Sequence, residues 1–367
     1  MRTPHSNDPP QKTWSLGALL LACGIGIYAV GFGILVFLDW TGQIDGTVLK
    51  DRWHRPQQTD YRSIPPHLIA YQQTAVFRCP VIGQPTCFAV QNDSTFIIGT
   101  ADPPALSFFD GDGTFLRKID LPEEPKAVVC GTSETIFTDK IVAAHPHDIA
   151  IYTAEGDRET LQLPLDKKSD IQSLILTPDY LFAADSGKRC IYRLREQGRL
   201  DLTFGNTNED EDSFTGFVVY ASPITMAFSP LTGLLSITNP GKHRIEVFTQ
   251  DGIYKPELGW GEPSAHLSGF AGCCNPIGLA VLDDGRILTV EKAVSRIKIF
   301  KQDTSLDCVV AGPGTLEAVP PWVERTPRKP VQRYFAAAVL SDGRIAVLDF
   351  EYAAMRIFTP IQATRQQ

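Results

Sequence analysis

Downstream of residue 80 the apolar positions fall into short β-like runs separated by polar turns, and the arrangement recurs about six times. One copy reads Pro276 to Val281, the turn Asp284-Gly285-Arg286, a second run Ile287 to Glu291 and a third, Arg296 to Phe300. Another reads Pro223 to Phe228, Leu234 to Asn239 and Arg244 to Phe248. Weaker copies start near Pro85, Pro125, Asp170 and Tyr334. Their spacing, roughly 40 to 60 residues, is that of β-propeller blades rather than of helical repeats. The predicted fold is all-β, a six-bladed β-propeller over residues 74–360.

A complete blade needs four antiparallel strands, but the last copy shows three: Phe335 to Leu340, Ile345 to Leu348 and Met355 to Phe358. Thr74-Ala75-Val76-Phe77-Arg78 has strand character and precedes the first copy. It is expected to supply the missing outer strand, closing the ring without a bare sheet edge. Cys79 and Cys87 flank that closure, either as a disulfide staple or as two reduced buried thiols, since pairing does not follow from sequence.

The pattern changes before residue 60. Leu16 to Leu38 is a run of 23 residues without a charge. As a helix it extends about 34 Å, enough for a hydrocarbon core of roughly 30 Å. It is longer than a signal-peptide core and lacks a small-x-small cleavage site, so it reads as an uncleaved single transmembrane α-helix. Trp14 and Trp40 flank it where aromatic rings favour the interface. Residues 1–15 form a short tail, 39–73 a proline-containing stalk, and 361–367 a C-terminal tail. Arg2 and Lys12 precede the span, and Lys50, Arg52 and Arg55 follow it, so charge does not decide orientation. By analogy with N-terminal anchors, the propeller is expected on the extracytoplasmic, periplasmic side, with the lipid bilayer as one partner.

Net charge is −8 over 367 residues. With no clustered basic face, nucleic acid is excluded as a partner. The acidic run Glu209 to Asp212 reads as a solvated inter-blade loop.

The copies at Pro223 and Pro276, with their acidic-glycine turns and Arg-Ile-x-Val/Ile-Phe third strands, resemble the NHL-repeat family of six-bladed propellers. The junctions Phe204-Gly205 and Leu258-Gly259-Trp260-Gly261 are similar to that family's aromatic-glycine junctions. Phe270-Ala271-Gly272-Cys273-Cys274-Asn275-Pro276, with Thr289 to Lys292 and Asn239 to Arg244, resembles a bacterial membrane-associated subgroup. Asp102-Pro103-Pro104 and His145-Pro146-His147 depart from the repeat and leave the blade edges there undefined.

Propeller topology sends the inner strand away from one face and the second strand back to it. Residues before the inner strand and after the second strand therefore meet. Cys273, Cys274 and Asn275 are placed beside Glu291 and Lys292, with Asp185 to Arg189, Asn239 to Arg244 (His243 among them) and Asp349 to Tyr352 around the same rim, and with Trp260 close by in sequence. A concave mouth with a few polar groups is the default ligand-binding site. Arg189, Arg244, Arg296 and Arg356 read as equivalent structural members satisfying turn carbonyls and carboxylates.

Cys273 and Cys274 are the sharpest local signal. Their α-carbons lie about 3.8 Å apart, below the usual disulfide range, so a bond between them would be strained and easily reduced. A vicinal ring would form a flat platform that Trp260 and Phe270 extend. Two reduced cysteines, one inward and one facing the mouth, are the alternative, and chelation is disfavoured because adjacent side chains diverge on an extended backbone.

Cofactors are left unassigned, with calcium or zinc as open options. His145-Pro146-His147-Asp148 offers zinc-type ligands but reads as a solvated turn. The related propeller lyases ring a zinc with histidines, whereas the matching positions here are Gln84, Glu124, Ile171, Ser222, Asn275 and Arg333. The lactonase-like propellers imply a calcium set to which Glu124, Asp170 and Asn275 correspond. Asp110-Gly111-Asp112-Gly113 lacks the later glutamate of a calcium loop and reads as a hairpin turn. Two functions follow: a membrane-anchored binding or scaffold module for a protein partner or small ligand, or a metal-dependent hydrolase or lyase or redox-linked enzyme using the central mouth. No catalytic residue is assigned.

Overall fold

The structure, a computed structural model, describes residues 62–81, 83–91, 95–205, 216–292, 294–323 and 334–361. The predicted membrane span, most of the stalk and the acidic run Glu209 to Asp212 lie outside these residues. Among the described residues no helix is long and apolar enough to cross a membrane.

Six antiparallel sheets form in chain order. Strand β1 (Tyr71–Arg78) comes first. The first blade is β2 (Pro85–Val90), β3 (Phe96–Ala101), β4 (Pro104–Phe109) and β5 (Phe115–Asp120). The second is β6 (Ala127–Cys130), β7 (Ile141–Ala144), β8 (Ile149–Tyr152) and β9 (Arg158–Leu161). The third is β10 (Ile171–Leu176), β11 (Leu181–Asp185), β12 (Cys190–Leu194) and β13 (Leu200–Phe204). The fourth has β14 (Met226–Ser229), β15 (Leu234–Asn239) and β16 (Arg244–Thr249). The fifth is β17 (Gly278–Val281), β18 (Ile287–Glu291), β19 (Arg296–Phe300) and β20 (Leu306–Ala311). The sixth is β21 (Phe335–Val339), β22 (Ile345–Asp349) and β23 (Ala354–Pro360), completed by β1. Inner strands touch in succession, and β2 touches β21, so the sheets form a ring.

The closure follows the sequence pattern. Strand β1 pairs antiparallel with β23 from Tyr71 opposite Pro360 to Arg78 opposite Ala354. It starts three residues before the predicted boundary at Thr74. Cys79 then packs with Phe96, Phe109, Leu348 and Met355 between the sixth and first blades, whereas Cys87 packs between the first and second. The two thiols are free and buried, and no staple joins them. The seam is held by apolar packing and eight residues of strand instead.

Successive blades share cores. Ile97, Leu106 and Phe108 meet Ile141 and Ala143; Leu181 and Ala183 meet Val142 and Ile149; Leu288 and Ile297 meet Ile345 and Val347. Each sheet has one strand-2 and strand-3 surface against each neighbour, which is why β11, β22 and β19 are buried at every position. A ring of this kind buries both faces of its sheets, so the near-continuous apolar runs replace strict alternation.

Two expectations fail locally. The fourth blade lacks a regular fourth strand, because the segment that would form it contains Pro256 in a short 3-10 turn, Pro256–Leu258. Single bridges from Phe248 to Tyr254 and from Ile245 to Trp260 cover its edge instead. Gly261 (φ 105°) follows, where a Cβ would lie 2.9 Å from Arg244 Cα, so only glycine fits the return of the chain. The edges left undefined at Asp102-Pro103 and His145 to Asp148 are in fact tight turns between regular strands, with His145 N donating to Asp148 O at 2.8 Å.

Candidate binding site at the channel mouth

The four later blades share one device. The last residue of strand 2 is polar and buried, and its side chain reaches the chain entering the blade or the turn that follows. Asp185 Oδ1 accepts from Asp170 N (2.9 Å) and Lys188 N (3.0 Å). Asn239 Oδ1 accepts from Val218 N (2.9 Å), while its Nδ2 donates to Gly216 O (3.1 Å). Glu291 Oε2 accepts from Ala271 N (3.0 Å), and Asp349 Oδ1 from Glu351 N (3.0 Å). Seven residues further on, strand 3 supplies the partner that completes each seat. Tyr192 donates to Asp185 at 3.3 Å, and Glu246 accepts from Asn239 at 2.9 Å. Lys298 Nζ lies 2.9 Å from Glu291, and Arg356 4.0 Å from Asp349.

The Glu291 seat is the most heavily charged. Arg296 donates from Nε (3.0 Å) and Nη2 (2.7 Å), and both it and Lys298 are fully buried. Lys298 also donates to Leu267 O and Gly269 O and sits over the rings of Phe270 and Phe300. Burial outweighs the attraction of Glu291 and brings its ammonium pKa down to about 8. In the fourth blade burial raises the Glu246 carboxyl above its usual range, against the pull of Lys242 and the hydrogen bond from Asn239.

The four arginines are not equivalent. Strand register aligns Cys190, Arg244, Arg296 and Ala354 opposite Asp185, Asn239, Glu291 and Asp349. Arg189 precedes this position and is exposed, and Arg356 follows it by two. The shared position before strand 3 is instead a left-handed residue, Arg189, His243, Ser295 or Ala353, with φ between 46° and 57°.

The predicted cluster does assemble around the loop before β17. Asn275 is fully buried, with Nδ2 donating to Ala271 O (2.6 Å) and Oδ1 accepting from Lys292 N (2.9 Å). Lys292 Nζ reaches Ala221 O (3.2 Å) and lies 5.5 Å from the Tyr334 ring centroid. Ser222 Oγ donates to Cys274 O at 2.7 Å. Cys273 is exposed and Cys274 buried, with their sulfurs 3.1 Å apart and unbonded. His243 joins the same loop, its Nδ1 3.1 Å from Phe270 O. Asp185 belongs to the third blade's own seat.

The aromatic platform does not form. Phe270 is fully buried against Phe300, and Trp260 packs on Phe300 with ring centroids 6.0 Å apart. Arg244 lies beside Gly259, where an added Cβ would meet its guanidinium at 2.8 Å. The ring that does line the central cavity is Tyr334, and Tyr220, 74% exposed, lies in the segment entering β14. Both sit in the segments entering inner strands, the position the topology argument had marked, but their side-chain direction carries no sequence signal.

All six inner strands line a central cavity of about 430 Å3. Its polar groups include Gln84, Thr86, Lys126, Gln172, Thr225 and Tyr334. Glu124, Asp170 and Asn275 do not offer a free ligand set: Glu124 pairs with Lys126 at 2.9 Å, and Asp170 accepts from Gln172 at 2.6 Å. Among the described residues no group of three histidines, cysteines or carboxylates could hold a metal ion. His145 is buried rather than solvated, between Glu123 O (3.1 Å) and Tyr152 Oη (2.8 Å), and burial lowers its pKa. Asp110 makes the expected hairpin turn, accepting from Asp112 N and Thr114 N.

No family model and no curated protein matches the chain in sequence. Solved structures do match it in shape. A protein of unknown function from Bacteroides thetaiotaomicron aligns with TM-score 0.55 and 14% identity, over 79% of this chain and 72% of that one. A catalytically inactive virginiamycin B lyase from Staphylococcus aureus, solved with quinupristin, aligns with TM-score 0.50 and 14% identity, over 79% and 100%. A streptogramin B lyase gives TM-score 0.50 and 10% identity, over 80% and 98%. At such identities the likeness concerns architecture, and with the ring of sheets described above it makes this chain a six-bladed β-propeller.

Proposed function

We propose that this chain is a binding propeller of NHL type, held at a membrane by Leu16 to Leu38 with its propeller outside the cytoplasm. It takes a protein partner or small ligand through the face carrying Cys273 and Cys274. One observation carries this reading: the buried acids and amides of the strand ends are committed to holding the blades. The exposed Tyr334 lines a central cavity of about 430 Å3, and the exposed Cys273 lies in the loop entering β17, on the face where the inner strands begin.

The test is a photo-crosslinker attached to the Cys273 thiol of the full chain in native membranes, compared with the same reagent on a Cys273→Ser/Ser341→Cys variant. Ser341 lines a second cavity at the far ends of the inner strands. Adducts of defined mass from Cys273 and none from the variant are expected. Adducts from the far face alone, or from neither, would overturn the reading.

The alternative, a metal-dependent lyase or hydrolase, draws on the fold shared with streptogramin-type lyases. It is supported less well, because the described channel lining offers amides, hydroxyls and Lys126 rather than histidines or carboxylates. Stoichiometric zinc or calcium in the purified chain would favour it.

A further inference from the structure

Adjacent cysteines on an extended backbone point to opposite sides, which keeps their sulfurs apart. Here the backbone is not extended. Cys274 has φ 58°, a left-handed conformation uncommon for a residue with a Cβ. The surroundings hold it there: Ser222 Oγ binds the Cys274 carbonyl, and Asn275 spans the loop between Ala271 O and Lys292 N. The result is a pair of thiol sulfurs 3.1 Å apart, one exposed and one buried. Strained conformations over-determined by their neighbours concentrate at functional sites.

The other cysteines differ. Cys79, Cys87, Cys190 and Cys308 are buried within blade cores, and burial raises each thiol's pKa to about 11 or 12. Among the described residues Cys273 is the one exposed thiol.

From this geometry we propose that Cys273 and Cys274 form a dithiol–disulfide exchange site at the channel mouth, whose co-reactant is a disulfide, either of a small thiol or of a protein. The exposed Cys273 thiolate attacks one sulfur of the incoming disulfide, forming a mixed disulfide and releasing the first thiolate. Cys274, already beside it, loses its proton and attacks Cys273 Sγ, expelling the second thiolate. The two cysteines are oxidised to a vicinal disulfide, and the incoming disulfide is reduced to two thiols. Because neighbouring α-carbons lie closer than an unstrained disulfide prefers, the ring is readily opened by an incoming thiolate, and a second thiol releases Cys273 and Cys274 as thiols while the two incoming thiols leave as a disulfide, so the site cycles between disulfide and thiol co-reactants. Burial keeps the Cys274 thiol pKa raised, which suits it to resolve a bond already formed rather than to start one. The proposal does not depend on the binding reading above.

The experiment incubates the purified full chain in detergent with oxidised glutathione, quenches with N-ethylmaleimide and maps the peptide around Cys273 by mass. The expected product is that peptide, lighter by two hydrogens, with neither maleimide nor glutathione. The doubly alkylated fraction should fall about tenfold and return with dithiothreitol. In Cys274→Ser, glutathione should remain on Cys273; in Cys273→Ser, Cys274 should stay reduced. Wild-type chain in which both thiols remain alkylated, or in which Cys273 keeps a stable glutathione adduct, would overturn the proposal without reference to either variant.

Discussion

The fourth and fifth blades place the same two positions, strand-2 end and seven residues on, in the same buried seat with different charges. In the fourth, Asn239 faces Glu246; in the fifth, Glu291 faces Lys298 and Arg296. Both seats anchor the incoming chain, through Val218 and Gly216 in one and Ala271 in the other. What these two seats share is therefore a hydrogen-bonded anchor for the incoming chain, not a particular sign of charge. A buried acid can be matched by two cations or spared by an amide. The seats differ in fragility, because one holds a desolvated ion cluster and the other a single desolvated carboxyl.

That difference sets the order of effects. Glu291→Gln leaves two buried cations without their counter-charge and should cost about 3 to 5 kcal/mol in denaturant unfolding. A loss near that of a surface substitution would mean the cluster is not desolvated. Asn239→Ala removes three hydrogen bonds from the fourth seat but strands no full charge, and about 2 kcal/mol is expected from the same measurement.

The two seats should also leave opposite pH signatures. Glu246 binds its proton more tightly folded than unfolded, so its contribution is present below the ordinary glutamate pKa and lost as pH rises through the raised one. Lys298 titrates near 8 when folded, and near 10.4 (approximately) in the unfolded chain. Between those values the unfolded state binds more protons, so stability rises with pH. Unfolding free energies across pH should show the first slope abolished by Glu246→Gln and the second by Lys298→Met; unchanged slopes would contradict the burial of either group. The smallest effect belongs to the exposed thiol. Cys273→Ser should alter stability by less than about 0.5 kcal/mol, while removing the fast-reacting thiol in maleimide labelling.

The ring and its closure were legible because strand runs and their spacing are local properties, and Thr74 to Arg78 had to pair somewhere. The face holding Cys273, Asn275 and Lys292 was legible from topology alone. The inward direction of Asp185, Asn275 and Glu291 was not, since each bonds a segment 15 or more residues away or a loop whose path only the folded chain defines. The turn before strand 3 also escaped notice, because Arg189, His243, Ser295 and Ala353 share a backbone conformation and no chemistry. The missing strand of the fourth blade had a signal in Pro256 that the strong repeat around it obscured.

The most direct test of the claim that these strand-end pairs are structural seats is a double-mutant cycle on the full chain with Glu291→Gln, Lys298→Met and the pair combined. Groups sharing one buried seat should couple by about 1 to 3 kcal/mol, with the double variant more stable than the two losses added together. Strict additivity would contradict the account, because it would mean that Glu291 and Lys298 act independently and that the carboxylate is free for something else.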